Sequence, residues 1–165
     1  MFVKLICALV LATAALGARA DVEPMQLVGE ARLQVLFWSI YDSRLFTADG
    51  TYESGERPVR LEIQYLRDID ADDLVARTAQ EWEQQGIRHE RRAQWLEAMA
   101  ELWPDIREND TLALELDETN RSVFFHNGRE LGTVEDPDFG QHFLDIWLSP
   151  DTSRPELRLA LIGQQ

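Results

Sequence analysis

The chain has 165 residues and is strongly acidic, with 30 Asp and Glu against 16 Lys and Arg, so nucleic acid and anionic membrane surfaces are poor partners for it. Its one cysteine, Cys7, lies in the N-terminal apolar run. Beyond that run there is no thiol for a disulfide, a thiolate nucleophile or a cysteine-ligated metal.

Lys4, the apolar residues 5–16 and the small-x-small step Ala18-Arg19-Ala20 read as a secretory signal peptide over 1–20. The run is shorter than the roughly 20 residues a membrane-spanning helix needs. Cys7 sits too far from the cleavage step to become a lipidated first residue. An exported, soluble chain starting near Asp21 is expected. Residues 21–165 suffice for a single domain with one core, and every cation in that segment is Arg.

Residues 31–46 are predicted to form a long or bent strand pair. The stretch FWSIYDSRLF over 37–46 belongs to a segment that is apolar on both parities, with Leu33, Val35 and Phe37 on one and Leu36, Trp38 and Ile40 on the other. That pattern fits a strand buried on both faces. It is read as a central strand with its Phe and Trp side chains in the core and Tyr41 turned toward a cleft, where the hydroxyl needs a partner. The turn-forming segment TADGTYESGERP follows. Residues 57–66 then alternate, with Val59, Leu61, Ile63 and Tyr65 on the buried face of a strand.

A helix is predicted from Asp70, whose spacing to Asp73 resembles a capping box, with Leu74, Thr78 and Trp82 along one face and Gly86 as its stop. A second runs from about Glu90 to Pro104, with Trp95, Met99 and Leu102/Trp103 on its stripe. Three strands follow, at 111–116, 122–126 and 130–134, the last two joined by the Asn127-Gly128 turn. Asp136-Pro137 opens a helix carrying Phe139, Phe143 and Ile146/Trp147, and residues 155–161 form a last short helix. Strands, helices, strands and helices in that order make an α+β fold with an antiparallel sheet.

Sequence motifs supply no catalytic or metal chemistry. His89, His126 and His142 lack ligand spacing, and Ser39, Ser43 and Ser122 stand in no nucleophile motif. No metal or cofactor is called for. RHERR at 88–92 is the one basic knot. It reads either as a dock for a carboxylate or acidic partner, or as a solvated helix start paired with Glu83, Glu90 and Glu97.

The succession VGEARLQVLFWSIYDSRLF, LEIQYLRDI, TAQEWEQQG, FFHNGRELGTVEDPDFGQHFLDIWL and LRLALIG resembles the chalcone isomerase-like domain of bacterial exported proteins. The signal peptide makes a periplasmic location the expectation, and the resemblance implies an open-faced sandwich, an antiparallel sheet with a layer of helices against its inner face and a ligand cleft between them. The isomerases of that family use an Arg and a Thr on the sheet, a Lys and a Tyr near the strand-to-helix turn, and an Asn and a Ser or Thr on helices. Aligned with that pattern, those roles fall on Tyr41 for the Thr, Tyr65 for the Lys, Leu74 for the Tyr, Glu81 for the Asn and Ile146 for the Ser or Thr. Arg32 is the nearest match to the Arg, across a gap of about three residues in that alignment.

Leu74 and Ile146 have no proton to give, so isomerase activity is not expected. Plant relatives of the fold bind fatty acids through the Arg and nearby Tyr groups, which implies Tyr41, Arg32 and Tyr65 as ligand-binding residues here. The leading expectation is a non-catalytic exported protein binding a small apolar or acyl ligand. An envelope interaction or structural domain, its cleft packed shut by Trp38, Trp82 and Trp147, is the second. An isomerase or lyase on another substrate is the third.

Overall fold

The computed structural model describes residues 24–164; the signal-peptide segment and Cys7 lie outside them. Six antiparallel strands form one sheet: β1 (Gln26–Val35), β2 (Trp38–Thr47), β3 (Val59–Tyr65), β4 (Thr111–Leu116), β5 (Ser122–His126) and β6 (Arg129–Val134). Their order in space is their order in sequence. Helices α1 (Ala71–Gln84) and α2 (Arg92–Leu102) interrupt the meander between β3 and β4, and α3 (Phe139–Leu148) and α4 (Pro155–Leu161) follow β6. The expected α+β class and antiparallel sheet are what the chain adopts.

The period of two along each strand decides the two faces of the sheet. Val59, Leu61, Ile63 and Tyr65 of β3 and Leu112, Leu114 and Leu116 of β4 are buried toward the helices. The opposite face carries charge, with Arg44–Glu62 and Arg60–Glu115 linking neighbouring strands and Arg60–Glu62 pairing within β3. Helix α1 buries Leu74, Thr78, Glu81 and Trp82, and α3 buries Phe139, Phe143 and Ile146 at the same helical spacing. Trp82, Trp95, Phe139, Phe124, Phe143 and Trp103 meet largely edge-to-face, the favoured arrangement for aromatic rings. Helix α4 lies close on β1: a Cβ at Gly29 would overlap the Ala160 and Leu161 carbonyls.

Three expectations are corrected. The segment 37–46 is not a doubly buried central strand. Leu36-Phe37 is the two-residue turn between β1 and β2, with Val35 opposite Trp38. Phe37 and Trp38 are 98% and 68% exposed instead of filling the core. Apolar residues on both parities here mark a hairpin tip.

Secondly, α1 has no side-chain cap from Asp70; Asp105 Oδ1 accepts the Ala71 N–H instead. Thirdly, Arg91 of the basic knot pairs not with Glu83, Glu90 or Glu97 but with Asp136 and Asp138, before α3. Asp136 also accepts the Trp95 indole N–H at 2.6 Å.

Candidate functional site

A cavity of about 470 Å³ lies between the sheet and the helices. Its floor is Leu61 and Ile63 of β3, Leu112 and Leu114 of β4, and Phe124 of β5; Leu74, Phe143, Ile146 and Leu157 roof it. Phe124, Phe143 and Trp103 are shared between this space and the aromatic core. The walls are thus apolar, as in most small-molecule sites.

Polar groups collect at one end. The Tyr41 hydroxyl accepts the Trp147 indole N–H at 2.9 Å, joining β2 to α3. Burial pushes its pKa up to about 12, and Trp147's hydrogen bond opposes that shift. Tyr65 lies edge-on to Tyr41 with ring centroids 6.0 Å apart. Burial raises its pKa too, and the neighbouring Tyr41 adds to the effect. Both phenols are therefore neutral hydrogen-bonding groups at ordinary pH.

Glu81, buried on α1, accepts hydrogen bonds from Arg77 and, at 2.8 Å, from the Ser153 hydroxyl. Half-buried Arg154 lines the same end and has no carboxylate partner among the described residues. The arrangement offers an apolar chamber with neutral donors and one unpaired cation near its rim.

The structure brings Tyr41 and Tyr65 together in this chamber and leaves Arg32 out. Arg32 lies on the opposite face of the sheet, 54% exposed, and holds Asp42 through two hydrogen bonds of 2.6 and 2.7 Å. Leu74, Glu81 and Ile146, the other positions that the resemblance assigns, all line the cavity. Trp147 lines it too, but Trp38 and Trp82 do not, so the three tryptophans do not pack it shut.

The sequence reading missed Arg154 and the Arg77–Glu81 pair. The latter had a readable signal, opposite charges four residues apart on a helix. Arg154 had none, standing between two helices where no period applies.

The family model described as chalcone isomerase-like matches residues 19–163. A protein of Haemophilus influenzae described only as uncharacterized is 29% identical over 139 residues, which is 84% of this chain and 68% of that one. The crystal structure of a fatty-acid binding protein from Arabidopsis thaliana matches with a TM-score of 0.66 at 12% identity, covering 88% of this chain and 89% of that one. A likeness at that identity establishes the shared fold.

Proposed function

Because the chain belongs to the chalcone isomerase-like family, we propose that it is an exported, non-catalytic protein that binds a small apolar or acyl ligand between its sheet and helices. The observation that carries this reading is the cavity itself, whose 470 Å³ falls within the roughly 300–1,000 Å³ of small-molecule pockets. An acyl chain gains about 0.8 kcal/mol per buried CH₂ before binding costs, with no catalytic group required. Arg154 supplies the partner for an anionic head group, and the neutral Tyr41 and Tyr65 hydroxyls can orient it. The fatty-acid binding neighbour of the same fold supports this ligand class.

The apolar side chains of Leu74 and Ile146 argue against isomerase chemistry. So does a Tyr41 hydroxyl whose pKa lies far from neutrality, since general acid-base groups work best near the operating pH.

Native mass spectrometry and thermal unfolding of the protein purified without detergent, with and without oleate, test the reading. One oleate per chain is expected. At about 100-fold excess over Kd it should raise Tm by roughly 5–10 °C. Arg154→Gln should weaken oleate at least about tenfold, Ile63→Phe should also weaken it by narrowing the floor, and Arg32→Ala on the far face should leave it unchanged. A bare mass and an unmoved Tm with both oleate and a flavonoid would sink the proposal.

A further inference from the structure

The β1–β2 hairpin projects beyond its neighbour: the β2–β3 ladder begins only at Tyr41, so the tip at 35–38 stands clear of the sheet. Val35, Leu36, Phe37 and Trp38 are 41%, 87%, 98% and 68% exposed. In a chain of net charge −14, residues 33–41 carry no charge. The tip's nearby polar side chains, Gln34 and Ser39, bond to each other at 3.2 Å. Leu36 holds φ at 55°, a left-handed conformation that glycine or asparagine adopts at lower cost. Such strain at an exposed apolar residue points to use of the side chain.

We propose that this tip inserts into the interface of an electrically neutral lipid bilayer. Four side chains at the end of a hairpin are far fewer than the roughly 20–30 residues per side of a stable protein interface, which disfavours a second copy or a protein partner. A bilayer sets no such minimum, and Trp with apolar neighbours is the composition that settles at headgroup level. The acidic surface repels anionic lipid, so the occupant is a bilayer of neutral headgroups. Val35, together with Leu33 and Ile40 behind it, also lines the cavity. An inserted tip therefore sets one wall of the chamber against the membrane, which makes the hairpin the route by which an acyl ligand is loaded. The loading step rests on the ligand-binding reading above; the docking step does not.

Flotation of the protein with phosphatidylcholine vesicles tests the docking. The wild type should float with them, and Phe37→Ser and Leu36→Asn should each lower partitioning at least about tenfold. Both positions are exposed, and unchanged circular dichroism will show that the fold is retained. Absence of wild-type flotation, or equal flotation of wild type and variants, would overturn docking. So would concentration-dependent self-association that the variants abolish, which would make the tip an interface between copies.

Transfer of oleate from the vesicles tests loading. The variants should bind oleate added from solution as the wild type does but take it from vesicles several times more slowly. Equal transfer rates would overturn loading. A wild type that floats but binds no oleate from solution would refute the cavity reading and leave docking standing.

Discussion

Asp110 ties the start of β4 to the β5–β6 turn. Its carboxylate accepts the Asn127 side-chain N–H at 2.8 Å and the Arg107 backbone N–H at 2.9 Å, and it lies 3.1 Å from His126 Nε2. Those bonds, Asn127's first, hold its pKa at about 2 against an ordinary 3.8. A carboxyl depressed in the folded state contributes stability above its unfolded pKa and loses it as pH falls through the folded value. Its contribution therefore disappears between about pH 4 and pH 2. Asp110→Asn should be less stable at neutral pH and should lose less stability than the wild type across that window in urea unfolding. Parallel pH profiles would refute this. Residue roles in the cavity were legible where parity was unambiguous: the alternation from Val59 to Tyr65 turns Tyr65 inward, and register pairs it with Tyr41. Arg32 shows the limit, because register sets it opposite Asp42, one step from the inward positions Ala31 and Leu33, and a one-residue slip reverses the face of a strand.

At the level of elements, the two hairpin turns make a contrast. Asn127-Gly128 has φ of 50° and 77°, which those residue types favour, and the sequence announced it plainly. Leu36-Phe37 performs the same geometric task with side chains that announce burial, so the pattern alone points the tip to the core. The helices α1 and α3 were legible because their buried positions recur at helical spacing, whereas the partners of Arg91 come from a distant loop that no local pattern reveals. The strain at Leu36 has a direct consequence. Leu36→Gly should raise stability by up to about 1 kcal/mol, the relief of the left-handed penalty less the entropy of glycine. A denaturant midpoint at or below that of the wild type would show the turn to be unstrained.

For the molecule as a whole, a sheet whose spatial order is its sequence order has an implication for how it assembles. Pairing of β1 with β2 closes a two-residue turn, and β5 with β6 a comparably short one, whereas β3 meets β4 only across the segment 66–110. Loop closure costs more entropy as the loop lengthens, and non-local pairing is slow. In pulsed hydrogen exchange during refolding, amides of the two hairpins should gain protection before those of the β3–β4 ladder; simultaneous protection would contradict this order. The register opposes Ile63 to Leu112 and Leu61 to Leu114, four of the five side chains that floor the chamber. Folding in this order would close the chamber only when the two halves of the sheet associate, so a chain with both hairpins formed but β3 and β4 still apart would lack the cavity floor.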